Sequence, residues 1–531
     1  MRQMPAHHPP SGTSDVPPRV RAAEVCAAIS LATDLGTGQP LEHGLRTAIL
    51  AVRIGELHGL ATRDLVDAYY VALLHSFGCT SDGHEAQQLY GDDIDPRAAF
   101  ALLDTANVAE IAAFLQGHVG ADRTAPERAA MVEYALHNGM TIARQTFAMH
   151  CEVAQRFAGW LGLSPGTVAA LEHVFERWDG NGFPGVTAGG ALPLPARILH
   201  VARDISVFLT ASGPEAARAI LTARSGAAYD PVITALALEH FDALIEALDD
   251  TRAWAQALEA EPAPHLWFAG DEIDAAFTAI ATFADLKSPW FRTHSTGVAD
   301  LAEAAAWRLA LPSPDVTRLR HAALAHDLGR VGVTNAIWEK PGPLSFSERE
   351  RSRLHAHFTE RAFAQSETLA SIGVLAGSHH ERLDGSGYHR GRRSVDLPVE
   401  ARILAAADHY YSLCEARPYR PACAPEDAAA RLHEEVSAGR LDPDAVTAVL
   451  AAAGHREEPR PRDLPAGLTA RELQVVRALV LGLTNEEIAV RLRISAKTVG
   501  HHVQHIYQKA GVRSRAAATV WAFEHSLVTS L

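Results

Sequence analysis

The chain repeats itself. The block PARILHVARD at residues 195–204 returns as VEARILAAAD at 399–408, and WDGNGFPG at 178–185 falls without a gap on LDGSGYHR at 383–390. Further out, His150 falls on His355 at the same offset of 205, whereas His75 and His43 fall on His326 and His294 at an offset of 251. One insertion of 46 residues in the first copy accounts for both offsets. With 28 histidines in 531 residues such coincidences are rare, and duplication is the better reading.

The breaks in the pattern divide the chain. Residues 1–20, rich in Pro, His and Ser, are expected to be disordered, and EPAPH at 261–265 and REEPRPRDLPAG at 456–467 are the other interruptions. The bodies expected are therefore 21–260 and 266–455, then a linker over 456–466 and a small unit over 467–531. Between the breaks the apolar spacing is helical, as in VADLAEAAAWRLAL at 298–311, and no convincing alternating strand is seen. The fold class is read as all-α. An apolar share of 47% excludes a wholly disordered or fibrous chain. Five cysteines without a C-x-x-C pair fit a reducing cytoplasm. No apolar run reaches 18 residues and the start lacks a signal-peptide core, so neither secretion nor membrane spanning is expected.

The second copy carries His294, the pair His326-Asp327, His355, the pair His379-His380, and Asp408, each at or near the end of an expected helix. Imidazoles and carboxylates without thiolate suit iron, manganese or zinc, and two adjacent ligand pairs exceed what one ion requires. Two divalent transition metals are implied, iron or manganese first, with zinc admitted. An isolated histidine such as His321 is more often a packed core residue.

AHDLGR (325–330), HHERLDGSGY (379–388), ARILAAAD (401–408) and RPYR (417–420) resemble the HD-GYP subgroup of HD-domain metal phosphohydrolases. The resemblance covers roughly residues 275–450. It implies His294, His326, Asp327, His355, His379, His380 and Asp408 as ligands, with Asp327 bridging two ions. It implies catalytic roles for Asp327 and for Arg330, which stands where the family usually has lysine, and it assigns Tyr388, Arg417 and Arg420 to the phosphates of a cyclic dinucleotide, cyclic di-GMP being the family's best known substrate. Arginine suits that task because its planar fork binds phosphate bidentately. Two departures bear on substrate and metal number: Trp290 replaces the glutamate of three-metal members, and His389 replaces the proline of the GYP motif.

The first copy keeps His43, His75 and His150 but has Ser76, Val174, Phe175 and Arg203 at the other four ligand positions. By the constant offset the phosphate arginines map to Ser212 and Glu215. This half is read as a non-catalytic relative that senses a small molecule or packs against its sibling. The segment GCTSDGHE (78–85) receives no chemical account from sequence.

Residues 467–531 hold eight Lys/Arg against four Glu, a charge of +4; with −15 for the whole chain, the remainder carries −19. A basic unit on an acidic body is the asymmetry expected when one end meets nucleic acid. Thr469 followed by Glu472 reads as a capping box, and a second helix bearing Lys497, Thr498, His501, His502, Gln504 and His505 suits the major groove. The blocks NEEIA, SAKTV and IYQKAGVRSR closely resemble the LuxR-type helix-turn-helix, which implies that helix 496–509 reads double-stranded DNA and that the last helix pairs protomers.

The reading is a cytoplasmic, homodimeric transcription regulator whose second HD-GYP-like domain hydrolyses or senses a cyclic dinucleotide. Two rivals stand beside it: a metal- and nucleotide-binding module without turnover, and a phosphohydrolase whose tail only localises it.

Overall fold

The computed structural model describes residues 19–249, 251–455, 465–492, 494–525 and Leu527. They divide after His455 into two units. The stretch 1–18 of the expected disordered tail and most of the expected linker lie outside the described residues.

The first unit is almost wholly helical, and the two copies are built alike. Each begins with a buried helix, Ala22–Gly36 and Asp271–Asp285, followed by His43–His58 and Thr62–Leu74 in the first copy and His294–Arg308 and Ser313–Ala325 in the second. The same small devices recur. Asp34 accepts the Gly44 N–H at 3.3 Å, and its counterpart Asp285 accepts the N–H and hydroxyl of Ser295 at 3.0 and 2.7 Å. Asp230 caps Pro231–Glu239 and holds Arg197 at 2.8 Å, as Asp442 caps Pro443–Ala452 and holds Arg402 at 3.0 Å. An N-cap carboxylate of this kind satisfies backbone donors that the helix leaves orphaned.

Both copies contribute to one hydrophobic core. Phe77 packs tilted against Phe157 of its own copy and Phe283 of the second, at ring separations of 4.7 and 4.4 Å. The helix Ala22–Gly36 is so rich in small residues that it also packs against the second copy; a Cβ at Gly36 would lie 3.0 Å from the Val331 carbonyl.

Two differences from the sequence reading appear. Residues Arg19–Arg21 form a strand antiparallel to Trp267–Ala269, with Val20 opposite Phe268, so Arg19 and Val20, assigned to the disordered tail from sequence, are part of a sheet. Three residues are too few for an alternating pattern to show. The loop 415–424 that carries Arg417 and Arg420 has no counterpart in the first copy, where Gly213 alone separates Leu194–Ser212 from Pro214–Arg224. The constant offset therefore fails beyond Cys414, and Ser212 and Glu215 occupy helix ends instead of that loop.

The second unit packs Ala470–Val480, Asn485–Leu492, Ala496–Ala510 and Arg515–Glu524 around Val475, Val476, Ile488, Val499, Ile506 and Ala522. The capping box read at Thr469 is formed, with Glu472 N–H donating to the Thr469 hydroxyl at 3.2 Å and Thr469 N–H to the Glu472 carboxylate at 2.7 Å.

Candidate metal centre

The second copy brings its seven ligand-type residues to one buried point. His294 opens its helix after Thr293, a residue in the left-handed region at φ 61°; His326 and Asp327 follow the end of Ser313–Ala325 and lead into the tight turn Leu328–Gly332. His355 lies midway along Phe346–Phe363, His379-His380 follow Ala370–Ala376, and Asp408 projects from Val399–Cys414. Gly329 lets the turn touch the neighbouring helix, because a Cβ there would fall 2.1 Å from the His355 carbonyl oxygen. Gly78 makes the same approach to His150 in the first copy.

Asp327 stands between two groups of imidazoles. Its Oδ2 lies 2.9 Å from His326 Nε2 and 3.3 Å from His294 Nε2, whereas Oδ1 lies 3.6 Å from His379 Nε2 and 3.7 Å from His355 Nε2. Asp408 Oδ1 is 3.4 Å from His294 Nε2, and its Oδ2 is 3.7 Å from His380 Nδ1. The donor atoms of His294, His326 and Asp327 form one cluster and those of His355, His379 and His380 another.

The outer nitrogens are committed elsewhere. His326, His355 and His379 direct Nδ1 to the carbonyl three residues earlier, at 2.7, 2.5 and 2.7 Å, and His294 Nδ1 lies 2.7 Å from Glu415 Oε2. With Nδ1–H donating to a carbonyl, the Nε2 of His326, His355 and His379 faces inward, the tautomer a metal ligand needs. His326 Nε2 and both Asp327 oxygens are buried without a hydrogen bond of good geometry. Buried polar atoms with so little hydrogen bonding, crowded among imidazoles, fit a cation centre.

Electrostatics agree. Burial pushes His355 down to about 4 and His379 down to about 3, so both are neutral at physiological pH. Burial alone would raise Asp327, but the Arg330 guanidinium and His326 hold it well below the usual carboxylate range. Burial and Arg330 press His294 down, yet its contacts with Asp327, Asp408 and Glu415 outweigh them and lift it to about 10. The carboxylates around His294 thus favour a positive charge there.

The remaining sequence-derived residues fall into different places. Arg330 Nη2 contacts Asp327 Oδ2 at 2.6 Å. Tyr388 lies against His380 with ring centroids 4.7 Å apart. Arg417 is buried beside the centre: it holds Glu415 at 2.7 Å and the Trp290 carbonyl, and its guanidinium lies 5.2 Å from the Phe291 ring, which that of Arg330 approaches to 4.4 Å. Arg420 turns away, donating to the carbonyls of Ser412, Leu413, Glu415 and Pro421. His389 rests 3.2 Å from Glu360, and His321 stacks on Phe277 and bonds Asp274, an ordinary packed histidine. Sequence reasoning missed Glu415, which orients His294; it sits two residues before the RPYR block with no motif to mark it.

In the first copy, no cluster of metal-ligand type forms among the described residues. Arg203 bonds Asp204 at 2.8 Å, and Asp204 also receives Tyr229 at 2.5 Å and Arg224 at 3.3 Å, so it is turned to a structural network. His43 bonds Ser206, and His150 pairs with Asp82 at 3.2 Å. Asp82 belongs to the segment 78–85, which thereby gains an account: its Asp82 holds His150 and Arg97, and its His84 reaches Glu339 of the second copy at 2.6 Å.

On the small unit, Lys497, Thr498, His501, Gln504 and His505 are exposed along Ala496–Ala510, and His502 is half-buried. The Ser495 side chain caps that helix by accepting the Thr498 N–H at 3.0 Å.

Comparison with known proteins bears on both units. The profile of the HD domain family matches residues 124–233 and 279–445, and that of the bacterial regulatory proteins of the luxR family matches 466–522. The chain is 30% identical over 431 residues to 3'3'-cGAMP-specific phosphodiesterase 3 of Vibrio cholerae, a match covering 80% of this chain and 93% of that protein. It is 33% identical over 159 residues to a cyclic di-GMP phosphodiesterase of Thermotoga maritima, covering 30% of this chain and 43% of that protein. A crystal structure of a cyclic GMP-AMP specific phosphodiesterase from V. cholerae superposes with a TM-score of 0.60 at 26% identity, covering 83% of this chain and 99% of the other.

Proposed function

The chain belongs to the HD domain family, and from that premise we propose that its second copy is a two-metal phosphodiesterase acting on a cyclic dinucleotide, joined to a DNA-binding unit at 467–531. The carrying observation is the bridging posture of Asp327, whose two oxygens face separate imidazole groups at 2.9–3.3 Å and 3.6–3.7 Å.

His294, His326, Asp327 and Asp408 would hold one ion, and Asp327, His355, His379 and His380 the other. Paired divalent ions supply Lewis acidity that activates water and offsets phosphoryl charge. The donor set, free of thiolate, favours iron or manganese and admits zinc. Glu415 orients His294, Arg330 balances the charge of Asp327, and the Tyr388 ring walls the site beside His380. Arg417, which shares the Phe291 ring with Arg330 and holds Glu415 beside His294, would be the arginine to meet a phosphate.

The likeness to the V. cholerae enzyme over most of both chains favours 3'3'-cGAMP as substrate, with cyclic di-GMP as the alternative. The small unit reads double-stranded DNA through Lys497, Thr498, His501, His502, Gln504 and His505, and the chain acts as a homodimer in the cytoplasm. The test is hydrolysis of a panel of cyclic dinucleotides by manganese- or iron-loaded full-length protein, products resolved by chromatography. Linear dinucleotide or mononucleotide from one of them is expected; binding without turnover across the panel would leave the sensor reading.

A further inference from the structure

The copy that lacks the ligands reaches into the copy that has them. Asp93, in the stretch between His75 and His150 that holds the first copy's insertion, is fully buried, and its two oxygens grip two separate segments of the second copy. Oδ2 lies 2.5 Å from Lys287 Nζ, itself fully buried. Oδ1 accepts the Asn335 N–H at 2.7 Å and the Thr334 hydroxyl at 3.0 Å. Asn335 then donates its side-chain amide to the Lys287 carbonyl at 2.8 Å, which closes the ring.

Those two segments carry the centre. The chain from Lys287 runs through Trp290, whose carbonyl receives Arg417, and Phe291, which lies under Arg330, to His294. The chain before Thr334 is the turn that begins at Asp327 and contains Arg330. Lys287 and Thr334 are thus the rear ends of the two segments that deliver His294 and Asp327. The first copy's stretch approaches closely enough to hold them fast, since a Cβ at Gly83 would lie 2.9 Å from both the Asn335 amide and the Lys287 carbonyl. On its own side Asp93 is fixed by Arg97 at 3.2 Å, and Arg97 by Asp82, which pairs with His150.

We propose that Asp93 is a positioning residue for the metal centre of the second copy, setting the separation of His294 from the Asp327 turn, so that the first copy completes a site to which it gives no ligand. This rests on the metal-centre reading above. Removal of a group hydrogen-bonded directly to a ligand lowers metal affinity about 10- to 100-fold, and Asp93, acting through the backbone of both segments, is expected at the lower end of that range. A carboxylate that merely stabilised the fold would not single out the metal.

The experiment uses the full chain loaded with manganese and measures ion release to a chelator, melting temperature and, separately, kcat and KM. Asp93→Asn should speed metal release by about tenfold or more and lower kcat with KM little changed. In Asp93→Leu/Lys287→Met the buried pair is replaced by apolar groups, a change that is often neutral for stability. Its melting temperature should recover while fast metal release persists. Thr334→Val, which removes one of the two hydrogen bonds to Oδ1, should show a smaller increase in release and decides the matter if the Asp93 variants fail to fold. Metal retention that recovers together with melting temperature in the double variant, or wild-type release in Thr334→Val when the Asp93 variants do not fold, overturns the proposal. Release is read without turnover, so a protein that holds its ions but hydrolyses nothing refutes the proposed activity and leaves this inference standing.

Discussion

Arg203 occupies in the first copy the position that Asp408 occupies in the second, and its guanidinium lies 2.8 Å from the adjacent Asp204. Burial opposes the charge on Arg203, but Asp204 beside it raises its pKa further, so a permanent cation sits where a metal-binding carboxylate would be. The two copies should therefore respond unequally. His379→Ala is expected to abolish phosphodiesterase activity, while His150→Ala leaves it within a few-fold. Equal losses in a steady-state assay would make the first copy catalytic.

Because Asp327 turns one oxygen to each imidazole group, its removal should empty both positions together. Reconstituted wild-type protein is expected to hold about two transition-metal ions per chain, and Asp327→Ala should hold almost none, since metal affinity collapses when a bridging anionic ligand is removed. Elemental analysis checks this. A single ion in wild type, or one retained by the variant, contradicts the paired centre.

Arg417 and Arg420 look equivalent in the block RPYR and are not. Arg417 is buried with its fork on the Glu415 carboxylate and the Trp290 carbonyl, next to His294, whereas the Arg420 fork is spent on backbone carbonyls of its own loop. A charge-assisted hydrogen bond contributes about 1.5–3 kcal/mol, so Arg417→Ala should raise KM roughly 10- to 100-fold. Arg420→Ala should instead loosen residues 415–424 and lower kcat by freeing Glu415 from its place against His294. Hydrogen exchange over that loop separates the two: protection falls in Arg420→Ala and holds in Arg417→Ala.

The ligand-type residues were legible because chemistry demands scarce residue types at fixed places, and the duplication supplied an internal alignment against which losses stood out. What supports them was not. Glu415 orients His294 from a loop with no spacing rule, and Asp93 acts from the stretch between His75 and His150 that holds the first copy's insertion. Residue type also cannot say whether a donor is free: Arg420 satisfies the motif, yet its hydrogen bonds are used locally. The strand Arg19–Arg21 was hidden for a different reason, being fixed by its partner Trp267–Ala269 and too short to show a period.

The pairing of His150 with Asp82 predicts a pH dependence of stability. Burial opposes protonation of His150, but Cys79 and the Asp82 carboxylate raise its pKa from 6.5 to about 9. A histidine with a raised folded-state pKa contributes stability that is complete below its unfolded value and is lost as pH rises through the folded one. Melting temperature should therefore fall between about pH 6.5 and 9, and His150→Asn should show a shallower decline over that window. Parallel curves for the two proteins would show that the pair does not titrate there.

DNA binding should belong to the small unit and weaken steeply with salt. Its charge of +4 and the exposed Lys497, Thr498, His501 and Gln504 on one helix supply phosphate and groove interactions, whereas the remainder at −19 repels DNA. Removing one phosphate-binding cation lowers the slope of affinity against salt by roughly one, so Lys497→Ala should bind more weakly and with a flatter salt dependence. Residues 456–531 alone should bind duplex DNA, since the unit has its own core around Val476, Ile488, Val499 and Ile506. They should bind less tightly than the full chain if the helical copies help to pair protomers, because half-sites joined in a dimer bind cooperatively. A salt series on promoter fragments with the full chain, the tail and residues 1–455 decides it. Binding by residues 1–455 equal to that of the full chain would remove DNA recognition from the tail.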